Sequence, residues 1–154
     1  MNAQAGPFPG PELERAYRNT TYRVDAAGGA MAIRIGERCP QLDALLAKHG
    51  TSCWALVTAW NPRSEQLTNK NNELRNSSLC AELRQRGCTT LKGRGQADAG
   101  DWLPEESLLV PGMPAADAVA LGVRYGQHAV VTGVVGECAV LRWCAGGDAD
   151  TIPS

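Results

Sequence analysis

Apolar residues fall along this chain in two rhythms, one of period two and one of period three to four. Met31, Ile33 and Ile35 alternate with Ala32 and Arg34, which predicts a strand over 31–35 with one buried face. A β-branched run predicts a partner strand over 20–24, joined to it by the turn-forming Ala26, Ala27, Gly28 and Gly29. Between 39 and 49 the period changes: Leu42, Leu45 and Leu46 repeat at helical spacing, with Pro40 in the first turn and Gly50 as the stop. Residues 53–59 are apolar on both alternating faces, the mark of a central strand covered on both sides, and Pro62 ends it. A long helix is then expected from about 64 to 86, stopped by Gly87. On it Leu67, Leu74 and Ala81 share one side, while Asn72 and Arg75 lead into Leu79 and Leu83 on the other.

The remainder reads as a strand over 88–94, a polar loop over 95–101 ending at Trp102, a strand over 106–110, a helix over 114–125, and a last hairpin over 129–134 and 138–143. A short helix opens at Pro11, with Pro and acids in its first turn as the helix dipole favours. Residues 1–10 and 146–154 are expected to be disordered tails around a single α+β domain over 11–145. From 53 to 134 the order is strand, helix, strand, strand, helix, strand. That order predicts a ferredoxin-like βαββαβ core, with a helix and strands added before it and one strand after it.

This topology brings several polar and aromatic residues to one end of the sheet. They are Trp60, Asn61 and Arg63 after the first core strand, Asn72 and Arg75 on the long helix, Trp102, Glu105 and Glu106 before the third strand, and Gln127 and His128 before the fourth. Adjacent strand residues point to opposite faces, so Glu105 and Glu106 cannot both serve one site. Glu106 shares its side with Leu108 and Val110, which predicts that it is the one packed under the helices and paired with Arg75.

Composition narrows the classes. The 154 residues carry a net charge of −1, which gives no bulk attraction to nucleic acid or an anionic membrane. Residues 61–95 hold seven Lys/Arg against three acids and 96–154 hold two against eight, an imbalance expected to be relieved by pairing within the chain. No apolar run has the length of a membrane span. Six cysteines without a Cys-x-x-Cys spacing, two histidines and no signal-peptide pattern suggest a cytoplasmic, reduced protein with neither metal nor cofactor.

Several stretches resemble an uncharacterised bacterial family, the domain of unknown function 3293. The likeness lies in Leu13 to Tyr22 (Leu-Glu-Arg-Ala-Tyr-Arg-Asn-Thr-Thr-Tyr), Val57 to Ser64 (Val-Thr-Ala-Trp-Asn-Pro-Arg-Ser), and Asn72 with Arg75. It continues in Pro104 to Val110 and in Tyr125 to Val131. Where the family pattern commonly carries an acid before Asn72, this chain has Asn71. The resemblance implies membership and no particular chemistry.

Three functions remain open for the polar end. Trp60, Asn61, Arg63, Asn72, Arg75, Trp102 and Gln127 suit a small anionic or nucleotide-like ligand, with guanidinium forks for the anion and an indole for a planar group. The same residues suit a hydrogen-bond network that only locks the fold, as in a structural or protein-interaction module. Glu105 or Glu106 could act as a general acid or base, although no Ser/His or Cys/His pair and no phosphate loop accompanies them. The sequence carries no signal for an oligomeric state.

Overall fold

The computed structural model describes residues 10–144. The elements are α1 (Pro11–Arg18), β1 (Thr20–Ala26), β2 (Gly29–Ile33), α2 (Pro40–Lys48), β3 (Cys53–Val57), a 3-10 turn (Pro62–Ser64) and α3 (Asn69–Gln85). They continue with β4 (Leu91–Ala97), β5 (Glu105–Pro111), α4 (Ala115–Arg124), β6 (Ala129–Val134) and β7 (Val140–Trp143). All seven strands join one sheet in the order β2-β1-β4-β5-β3-β6-β7, and every neighbouring pair is antiparallel. The fold is α+β. Both expected tails lie almost wholly outside the described residues.

Beyond the strands proper, Ile35 forms a parallel bridge to Ala139, and the Gly36 N–H donates to the Ala139 carbonyl at 2.8 Å. Ile35 follows one edge strand and Ala139 precedes the other, so the sheet curls until its two edges meet. Curling relieves much of the liability of open edges, since their last backbone groups pair with each other.

The curl separates two cores. On one face α2 inserts Leu42 and Leu46 among Val24, Ile33, Trp54, Leu56, Leu109 and Val131. On the other, Leu79 and Leu83 of α3 and Ala118 and Leu121 of α4 cover Ala55, Val57, Leu108 and Val110. β3 therefore buries both its faces, as its uninterrupted apolar run requires.

Several element boundaries differ from those expected. Among them are β1 and β2, which run to Ala26 and from Gly29 and so shorten the turn, and β3, which ends at Val57. Three more have a clear physical reason. The long helix begins at Asn69, not near 64, because Asn61, Arg63 and Ser64 take left-handed φ angles of 43°, 53° and 62°. Thr68 then caps it, accepting from the Asn71 N–H at 3.1 Å. The second core strand covers Leu91–Ala97, extending into glycine-rich sequence expected to be a loop. A Cβ on Gly95 would lie 2.9 Å from the Tyr22 ring, so glycine there is what lets β1 and its tyrosine lie close across β4. β7 starts at Val140, since Ala139 is committed to the edge bridge.

The expected pairing of the basic middle segment with the acidic tail segment takes a different form. Glu82 collects Arg86 and Arg124, while Arg34 binds Asp98 and Glu37. Across the sheet, however, Arg94 stands directly opposite Glu106 in register.

Candidate functional site

Where β3 runs out, the chain must turn sharply to reach α3, and it does so through Trp60–Ser64. Left-handed backbone at a non-glycine residue costs on the order of 1–3 kcal/mol and persists only where its surroundings over-determine it. Here three such residues fall within four positions.

The surroundings can be traced atom by atom. Asn72, 1% exposed on the first turns of α3, accepts the Asn61 N–H at 2.8 Å and donates to Asn61 Oδ1 at 2.8 Å. Asn61 Oδ1 also accepts the Leu67 N–H at 3.0 Å, and Asn61 Nδ2 donates to Glu105 Oε2 at 3.1 Å. Arg75 Nε donates to the Ala59 carbonyl at 2.7 Å, and its Nη2 donates to the Tyr125 carbonyl. Gln127 Nε2 donates to the Trp60 carbonyl at 3.1 Å, and the Arg63 N–H to the Gly126 carbonyl at 2.7 Å. Asn76 accepts the Ala59 N–H at 2.7 Å and donates to the Glu106 carbonyl at 3.0 Å. The result is a clasp: side chains from α3 and from the turn between α4 and β6 take up backbone groups of a strained turn, and Glu105 of β5 takes the Asn61 side-chain amide.

Asn61, Asn72, Arg75, Gln127 and Glu105 are thus brought together, as the topology anticipated. The expected Arg75–Glu106 pair is not formed. Two carbonyls already point at the guanidinium from the loop and from the end of α4, so Arg75 binds backbone. The two glutamates also exchange their expected roles. Glu106 does share a face with Leu108 and Val110, but α3 starts too late to cover it and it is exposed. Glu105 lies on the other face, half-buried near Tyr17 and Tyr22.

Burial pushes the Glu105 carboxyl above the usual carboxylate range, against the pull of the Asn61 donor. Burial likewise pushes the hydroxyls of Tyr17 and Tyr22 well above normal, with the Glu105 charge adding to both. The Tyr17 ring meets Trp143 edge-on at 5.9 Å. These two tyrosines were not singled out from sequence as site residues. The signal that could have found Tyr22 is its alternation with Val24, which sets both on the inner face.

The remaining candidates stand around the clasp. Arg63 is exposed on the Gly126 side, where a Cβ at Gly126 (φ 74°) would come within 2.9 Å of Pro62. His128 is half-buried just before β6, and Trp102 is 67% exposed. In front of the clasp, between α3 and the β4–β5 ends, lies a hollow of about 200 Å³ lined by Trp60, Glu73, Arg94, Leu103 and Glu106. Its guanidinium is that of Arg94, which sequence reading passed over. Trp60 is 7% exposed and forms part of its wall, while Leu103 is 72% exposed at its rim.

Among the described residues no group of three or more His, Cys, Asp or Glu could hold a metal, and no helix is long and apolar enough to cross a membrane. Residues 57–130 match the model of a family described as Protein of unknown function (DUF3293). That span contains the whole clasp and the hollow, and excludes Tyr17 and Tyr22. No curated protein and no solved structure matches the chain.

Proposed function

We propose that this chain, which belongs through residues 57–130 to the family of unknown function 3293, is a small-molecule binding domain. In this reading the clasp is scaffold and the hollow in front of it is the site. One observation carries the reading. A turn with three left-handed residues is braced through the backbone of Ala59, Trp60 and Asn61 by the side chains of Asn72, Arg75, Asn76 and Gln127, beside a hollow walled by Trp60 where Arg94 and Glu106 are exposed. Fold stability alone would be served by a relaxed turn, and strain of this kind gathers at ligand sites.

The chemistry favours a nucleotide-like ligand, a planar nitrogen-bearing ring with an anionic group. Glu73 and Glu106 accept hydrogen bonds from ring nitrogens or hydroxyls, and Arg94 meets the anion. A hollow of about 200 Å³ holds one ring or one phosphate, so the rest of the ligand would lie over Leu103 and Trp102.

A thermal-shift screen of nucleotides and phosphosugars tests it. A binder should raise Tm in the wild type, and Arg94→Ala should abolish that rise without changing the unliganded Tm. If every rise survives Arg94→Ala, or none occurs, the hollow is not the site and the alternative stands, a structural or interaction module whose polar cluster only locks the turn. The exposed Trp102 and Leu103 support that alternative.

Glu105 supports a further reading as a general acid, since burial favours its protonated form. Equal turnover of any substrate found by wild type and Glu105→Gln would sink it. A ferredoxin-like core belongs to the same proposal. It is supported by the order β4-β5-β3-β6 and by α3 and α4 sharing one face. A bacterial origin rests on the resemblance alone, and a cytoplasmic location on the six free cysteines.

A further inference from the structure

At the opposite end of the sheet a second hollow, of about 380 Å³, takes no part in the clasp. It lies where α2 and α3 end and where β5 turns into α4, with His49, Thr51, Arg86, Cys88, Met113 and Asp117 in its wall. Its size falls within the roughly 300–1,000 Å³ typical of small-molecule sites, which the clasp-side hollow does not reach.

Its charges are arranged as a pair of opposite sign. Arg86 spends one donor, Nη2, on Glu82 Oε2 at 2.8 Å. Glu82 also binds Arg124 and the Tyr125 hydroxyl through its other oxygen, so its charge is shared, and the Arg86 side chain is 41% exposed with no second hydrogen bond among the described residues. Asp117 is exposed in the first turn of α4 and enters no ion pair among the described residues. Met113, 5% exposed, adds an apolar part to the wall, and Thr51 a half-buried hydroxyl.

A bare anion entering here would meet the Asp117 carboxylate, and a bare cation the Arg86 guanidinium. A molecule carrying both charges satisfies both walls. We propose that this hollow binds a small zwitterion, an amino acid or ω-amino acid, with its carboxylate on Arg86 and Thr51, its ammonium on Asp117 and its methylenes over Met113. Charge complementarity at both ends of a short ligand fixes its orientation and excludes singly charged competitors.

Amide chemical-shift titrations of the full chain, at fixed salt, test the proposal with glycine, γ-aminobutyrate and 5-aminovalerate. These probes differ only in the distance between their charges. Saturable shifts are expected at Thr51, Cys88 and Gly112, strongest for the one length that spans the hollow. Arg86→Gln and Asp117→Asn should each weaken binding by at least about tenfold. Both side chains are exposed, so the variants should keep the wild-type spectrum elsewhere. Arg94→Ala should leave these shifts unchanged, which keeps the test independent of the clasp-side site. The same saturable shifts with acetate or butylammonium alone would overturn the proposal. So would shifts that stay linear in concentration, or that ignore both substitutions.

Discussion

Glu105 and Asn72 show how differently two polar residues of one cluster are placed. Asn72 is fully enclosed and satisfied, and removing its side chain leaves the Asn61 N–H buried beside a left-handed backbone. Asn72→Ala should therefore cost about 2–3 kcal/mol, read as a lower denaturation midpoint with an unchanged m-value. Glu105 carries a penalty instead. Its folded pKa lies above its unfolded value, so the folded state binds more protons between the two. Stability then falls as pH rises through that window. Glu105→Gln keeps an acceptor for Asn61 and removes the ionisation. In denaturation curves at pH 4 and pH 7, the variant should gain on the wild type at the higher pH. A gain of equal size at both pH values would contradict the burial argument.

At the scale of elements, the turn between β3 and α3 depends on the turn between α4 and β6. The Arg63 N–H reaches the Gly126 carbonyl, and Gly126 has both a positive φ and the Pro62 ring where a Cβ would stand. Gly126→Ala should displace Pro62 and loosen the clasp from the far side, at a cost of about 2 kcal/mol or more. Hydrogen exchange should locate that loosening in residues 59–67 and leave β1 and β2 protected. Uniform loss of protection across the sheet would mean that the two turns are not mechanically coupled.

Over the whole molecule, one curled sheet divides the interior between two cores, and the six free cysteines range from buried Cys144 to exposed Cys138. Their reactivity should follow burial. Cys138 is exposed, whereas burial pushes the Cys144 thiol up to about 12, beyond the reach of thiolate chemistry at neutral pH. Thiol labelling of the native protein should modify Cys138 first and Cys144 only on unfolding. Early labelling of Cys144 would show that β7 opens locally.

The sequence by itself determined nearly every element, because strand and helix follow from periods of two and of three to four that neighbouring residues carry. It also marked Asn61, Asn72, Arg75 and Gln127 of the clasp, though not Asn76, since Asn, Arg and Gln beside a dense apolar strand must find partners. It could not say which partners. Arg75 went to carbonyls because loop backbone arrived before any carboxylate did. Glu105 was shielded in place of Glu106 because α3 begins five residues late, after a left-handed turn that no local pattern predicts. Arg94 reached the hollow through the β4–β5 register, which sets it opposite Glu106. The meeting of Ile35 with Ala139 joins residues about a hundred positions apart. The tertiary structure alone decided these points, since each depends on where distant backbone groups arrive in space.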